Sequence, residues 1–202
     1  MLGLLYERAN LYDTTHDGKE LVNSKRFAFM LYIGLTIMLF AGLFGGYFVL
    51  RGNNDIWPPL GTPKMNVLKM LPSLVLMIAS IFVLLSARKE MRANQLSSYR
   101  LKVTIGLLIS VLFVFAMGLE WWRLIVGGVG LSSVFGGMYF IVTGAFALHF
   151  IGGLYGLVHT LRKARTIPFT TPQLVGFNNT LSFYYLMLLL WAIIVPLIYI
   201  NS

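Results

Sequence analysis

The chain has 202 residues, 57% of them hydrophobic and 11% charged, with a formal net charge of +9. A soluble domain of this size carries about a quarter charged residues, so a soluble globular fold is excluded and an integral membrane protein is implied. The sequence has no cysteine, which removes disulfides, thiolate metal ligands and iron–sulfur clusters.

Residues 1–26 are expected to form an N-terminal tail in water, partly lying on the membrane. They lack the basic start, apolar stretch and small-residue cleavage site of a signal peptide, in that order. A helix that crosses a bilayer needs roughly 20 apolar residues, and residues 27–202 offer five such runs. The first is expected at about Phe27 to Leu50, closed by a Pro- and Gly-bearing loop around Trp57, Pro58 and Pro59. The others are expected at about Val67 to Ala87, Val103 to Trp122, Val134 to Leu161 and Asn179 to Ile200. No ten-residue stretch alternates at period two, so a β-barrel is not supported. No internal repeat is evident. The predicted fold is all-α, a polytopic bundle of five transmembrane helices.

The charges orient it. Twelve of the sixteen Lys and Arg residues fall in the tail, the second loop and the fourth loop; four fall on the opposite side. Basic residues collect on the cytoplasmic side. The N-terminus is therefore expected inside and the C-terminus outside. This asymmetry explains the positive charge without a nucleic-acid partner.

Few polar groups lie at membrane depth. His149 and His159 are ten residues apart on one helix, hence about 15 Å along its axis. They cannot share a metal or a haem, and no metal site or catalytic constellation is predicted in the chain. His149 shares a helix face with Ala145, Gly152, Gly153 and Gly156. Small residues let helices approach closely in lipid, and an imidazole there can hydrogen-bond across the contact. Packing is the better-supported role, although an ionisable group inside a membrane is a functional candidate by default. Glu120 stands beside Trp121, Trp122 and Arg123. Two readings are open: an anchor paired with Arg123 at the interface, or an inward carboxylate that meets a partner or a lipid. Gly42, Gly45 and Gly46 are read as helix-packing positions, not as a phosphate loop. A small stand-alone transporter would need more intramembrane charge and broken helices.

Four stretches in order carry a resemblance. These are "MLFAGLFGGYFVLRGNNDIWPPLGTP", "FVFAMGLEWWRL", "VTGAFALHFIGGLYGL" and "LSFYYLMLLLWAIIVPLIYI", together about Met38 to Ile200. The chain resembles subunit III of the haem-copper terminal oxidases (cytochrome c oxidase subunit 3) in a short five-helix bacterial form. Departures from the family pattern fall at Leu35, Thr36, Met117, Phe146, Tyr185 and Leu188, while Glu120, His149 and Trp191 match it. The resemblance implies an accessory, non-catalytic subunit in a bacterial inner membrane. It would pack beside the catalytic subunit I and other oxidase subunits, bind phospholipid and help sustain proton uptake. Haem and copper would sit in those partners, with no cofactor in this chain. A corresponding subunit of a quinol oxidase or nitric-oxide reductase is the alternative. Arg51, Trp57, Glu120, Arg123 and His149 are the implied lipid or subunit contacts, and Trp191 joins the glycines as a packing residue. Longer members have seven helices in a V, so a cleft here would be completed by another chain. His149 is expected to meet the helix of Glu120 or a lipid headgroup region.

Overall fold

The computed structural model describes residues 16–59, 62, 70–131, 133–164 and 169–199. Five α-helices run through them: α1 (His16–Gly52), α2 (Leu71–Arg92), α3 (Leu96–Val126), α4 (Val134–Lys163) and α5 (Thr171–Tyr199). Each is long and apolar enough to cross a bilayer. Most helices extend past the apolar runs that announce them. The largest extension is in α1, which has 37 residues and, at 1.5 Å per residue, is about 55 Å long. It begins inside the segment expected to be a tail, so Lys19, Lys25 and Arg26 project from a continuous helix. Backbone hydrogen bonding inside a helix is indifferent to side-chain polarity, so α1 does not stop where the apolar run stops.

The bundle is built around α5, which packs against α1, α2 and α4; α3 packs against α2 and α4, and α1 touches α4 and α5 alone among the more extensive contacts. In the apolar window of α5 56% of residues are buried, against 11% in α1. The last helix is the hub and the first lies at the edge.

The α2–α3 hairpin makes the most extensive helix–helix contact. Buried residues of α3 fall at Tyr99, Val103, Gly106, Ser110, Phe113, Met117, Glu120 and Leu124, alternating steps of four and three. That is the heptad spacing of a left-handed helix pair. At Gly106 an added Cβ would stand 2.8 Å from Leu84 Cδ2, so the glycine sets how closely α2 and α3 approach. The opposite face of α3 carries Leu101, Ile105, Leu108, Leu112, Phe115 and Leu119, all exposed. The largest aliphatic groups face outward, as suits a lipid solvent, and smaller and aromatic groups fill the seam.

The connections are tight. Asn94, with φ 55°, turns the chain between α2 and α3, and its side-chain oxygen accepts from Phe169 N–H at 3.1 Å. Gly128, with φ 91°, sits in the α3–α4 turn, a left-handed conformation that suits glycine. Ser133 caps α4: its Oγ accepts from Gly136 N–H at 3.0 Å and donates to Gly130 O at 3.0 Å. This cap folds the turn back on the helix so closely that a Cβ at Gly136 would run into the Gly130 carbonyl oxygen. The clash is with backbone, so a side-chain shift cannot relieve it. Gly136→Ala is expected to destabilise the chain in detergent by about 1–3 kcal/mol. A Cβ at Gly118 meets nothing within 4 Å, so Gly118→Ala should be neutral or stabilising by up to about 1 kcal/mol. Chemical unfolding followed by circular dichroism separates the two; equal stability in both variants would contradict this packing.

Candidate functional site

Without bulk water in the membrane, each buried polar group needs a partner within the protein. Several hydroxyls turn back on their own helices, as Thr36 does to Tyr32 O and Thr143 to Tyr139 O. The groups that reach across define the joints of the bundle. Trp191 Nε1–H on α5 donates to Ser73 Oγ on α2 at 3.1 Å. Tyr184 Oη–H on α5 donates to Ser110 Oγ on α3 at 3.2 Å. Trp121 Nε1–H on α3 donates to Thr143 Oγ1 on α4 at 3.2 Å.

Trp191 is buried against Phe113 and Phe146. The indole lies tilted against the Phe146 ring, with centroids 4.8 Å apart.

His149 is half-buried, and its Nδ1 lies 2.8 Å from Ala145 O. A carbonyl only accepts, so Nδ1 carries the hydrogen and Nε2 of the neutral ring is left as an acceptor. The ring stacks beside Tyr32 and meets the edge of Phe40, with centroids 6.1 and 5.6 Å away. Both belong to α1. The expected meeting with the helix of Glu120 is not what the structure shows. Phe146 and Phe150 fill the side of α4 that faces α3, meeting Phe113, and this turns His149 toward α1. The glycines near it have separate duties. A Cβ at Gly153 would stand 3.2 Å from the Phe183 ring, and one at Gly156 3.0 Å from Thr180 Oγ1, both on α5; one at Gly152 would lie 3.4 Å from Tyr32 Oη on α1.

Arg51, Trp57, Glu120 and Arg123 belong to the opposite end of the bundle from the start of α1. Trp57 Nε1–H donates to Tyr47 Oη at 3.1 Å, and Tyr47 Oη–H donates to Leu197 O at 2.8 Å. The indole also sits edge-on to Tyr47 and Phe135. It ties the first loop to α1, α4 and α5. Arg51 closes the last turn of α1, where a cation suits the helix dipole. Glu120 is 8% exposed because it occupies a seam position of α3. Its Oε2 lies 3.7 Å from Arg123 Nη1. Arg123 itself is largely exposed, so the two placements expected of Glu120 coexist: the carboxylate points inward and is also paired to an interfacial arginine. On α1, a Cβ at Gly46 meets Met138 at 3.6 Å, whereas one at Gly42 or Gly45 meets nothing within 4 Å. Among the described residues Gly42 and Gly45 have no packing neighbour there.

One feature is not legible from the motifs. At the basic end, a cavity of about 290 Å³ is lined by residues including Lys25, Tyr99, His159, Lys163 and Asn179. It draws on five helices, and the available signal, single lysines near helix ends, is indistinguishable from ordinary interfacial charge.

Fold and polar inventory together define an integral membrane protein whose buried polar groups serve helix contacts. Among the described residues, no three of His, Asp and Glu gather as a metal set would require. The chain matches the cytochrome c oxidase subunit III family over residues 7–202, and it belongs to that family. It is 32% identical over 146 residues to the "Probable cytochrome c oxidase subunit 3" of Nocardia farcinica, covering 71% of each chain. It is 27% identical over 172 residues to the protein of the same description in Mycobacterium leprae, covering 84% of each. A "Cytochrome c oxidase subunit 3" from Thermostichus vulcanus is 28% identical over 165 residues, covering 81% of this chain and 80% of that one.

Trp191→Phe keeps a ring on Phe146 but deletes the donor that spans from α5 to Ser73. A net loss of about 1–2 kcal/mol is expected in detergent unfolding, with a smaller change for Trp122→Phe, whose side chain is exposed.

Proposed function

We propose that this chain is the non-catalytic subunit III of a bacterial haem-copper terminal oxidase in aerobic respiration. It packs against the catalytic subunit I in the inner membrane, binds phospholipid and helps to sustain proton uptake. The electron-carrying haem and copper belong to partner subunits. Its N-terminus lies in the cytoplasm and its C-terminus outside, a reading supported by the twelve-to-four division of basic residues. His149, Glu120, Arg51, Trp57 and Arg123 are its proposed contacts with lipid or partner, and Gly42 and Gly45 join them on the outer face of α1.

The observation that carries the partner reading is that outer face. Gly34, Gly42 and Gly45 have open space where a Cβ would stand. Gly34, Ala41 and Gly45 fall within about 40° of one another around the helix at 100° per residue. Each glycine costs a helix about 1 kcal/mol relative to alanine, and lipid tails give nothing in return for a small side chain. A second helix does, because small residues let two backbones come close. The edge helix α1 thus offers a seat for a helix of another chain.

Replacing both Gly42 and Gly45 by leucine tests this. The haem absorbance that co-purifies with the tagged chain should fall several-fold. The chain's own unfolding transition should be unchanged or raised, since leucine is the better helix former by roughly 0.8 kcal/mol per site. Full retention of haem would place the partner on another face. A second variant, His149→Leu, removes the imidazole from the middle of α4; reduced lipid content or shortened turnover of the assembled oxidase is expected.

A further inference from the structure

The cavity at the basic end stands apart from every residue assigned above. It is enclosed by the start of α1, the end of α2, the start of α3, the end of α4 and the start of α5. Its walls are apolar over much of their extent, with Ala28, Met91, Phe169 and Pro172 among them. Three basic side chains join them: Lys25 from α1, and His159 and Lys163 from α4. Among the described residues no Asp or Glu lines it, and Glu90, at the end of α2, is engaged by Lys102.

Lys25 is half-buried and uses one of its three donors on Pro172 O at 3.1 Å. That bond holds the ammonium at the cavity wall and leaves two donors for something else. The decisive group is Tyr99. Its side chain is fully buried, wedged edge-on against Phe169 and Phe177. Its hydroxyl finds no hydrogen-bond partner of acceptable geometry. The Thr160 hydroxyl beside it donates to Leu157 O at 2.9 Å. Thr160 Oγ1 keeps acceptor capacity, but it holds the Tyr99 hydroxyl only in poor geometry, and the phenol lines a cavity that also holds three basic groups. A phenol so loosely held can turn to an acceptor that enters from outside the chain.

We propose that this cavity binds a phosphate group, carried by an anionic membrane lipid or free in solution, with Tyr99 and Lys25 as donors, Lys163 supplying further positive charge and His159 a ring N–H. A phosphate fits because it offers several acceptor oxygens to donors arriving from different helices. The apolar walls suit the glycerol and upper chain of a lipid, and basic pockets between transmembrane helices on the cytoplasmic side bind anionic headgroups. About 290 Å³ is at the lower limit of ligand pockets, which suits a headgroup with the acyl chains left in the bilayer. The lipid source of the phosphate rests on the phospholipid reading above; the site itself does not.

The test uses the intact oxidase complex that contains this chain, stripped of lipid in detergent. Binding of short-chain phosphatidylglycerol, short-chain phosphatidylcholine and inorganic phosphate is followed by native mass spectrometry and by the shift in unfolding temperature. Phosphatidylglycerol should bind the wild type. Lys25→Gln with Lys163→Gln should weaken it about ten-fold or more, and Tyr99→Phe, which keeps the ring and its packing, roughly ten-fold. Arg92→Gln, at the same end but outside the cavity, should bind as the wild type does. Inorganic phosphate binding that shows the same losses would support the site with a free anion as its source. Should the wild type retain no lipid while its phosphate binding still depends on Lys25 and Tyr99, the site stands and the phospholipid reading falls. Equal binding of both ligands by wild type, the lysine variant and Tyr99→Phe would overturn the proposal, even where lipid is retained elsewhere in the complex.

Discussion

In a hydrocarbon solvent helices gain nothing by hiding apolar surface from one another. What holds them is close approach, and what makes close approach specific is the need to satisfy each buried polar hydrogen. The rest of this structure depends on that constraint. It explains why Gly106 lies where α2 crosses α3, and why Gly153 and Gly156 lie under α5. Trp191, Tyr184 and Trp121 each send one hydrogen to a hydroxyl on a neighbouring helix. Those three bonds link α5 to α2, α5 to α3 and α3 to α4. The hub helix and the seam of α3 are thereby fixed in register with few polar atoms.

The same constraint separates the inner and outer surfaces of the bundle. Leucine, isoleucine and phenylalanine on the outside of α3 meet lipid at no cost. The alternating seam also holds a glycine, a serine and a glutamate, which would be poor lipid-facing residues. Glu120 is buried because it falls on that seam, and Arg123 one turn later reaches it from the interface. The helix that departs from the pattern is α1. It displays glycines to the outside and buries little of itself, so its missing contacts are those expected from a neighbouring chain. Such a face suits the proposed role, in which the chain supplies contacts and electron transfer belongs to other subunits.

Much of this was legible in the sequence. Five apolar runs declared five helices, and four motif stretches declared the family. Trp57 and Trp191 both sit at joints of the bundle. Other features were not legible, for physical reasons. An almost uniformly apolar helix conceals its buried face, because lipid-facing and seam positions are both hydrophobic; the heptad of α3 emerges only when burial is known. The helix ends were misjudged by hydropathy, since α1 continues through Lys19 and Lys25 on backbone bonds alone. Of the two meetings expected of His149, the one with the helix of Glu120 gives way to α1, because a glycine-rich face has no sign saying which helix it meets, and bulky Phe146 and Phe150 take the side facing α3. The basic cavity was hidden because five separate segments compose it.

In the proposed role the chain supports redox chemistry without holding the redox groups. The most direct measurement is to purify the complex gently through this chain, then release the chain with a harsher detergent and assay iron, copper and haem in each fraction. All three should co-purify in the first step and remain entirely with the partner subunits in the second. Metal at about one equivalent in the released chain, or a first step that yields this chain with no redox-active neighbour, would contradict it.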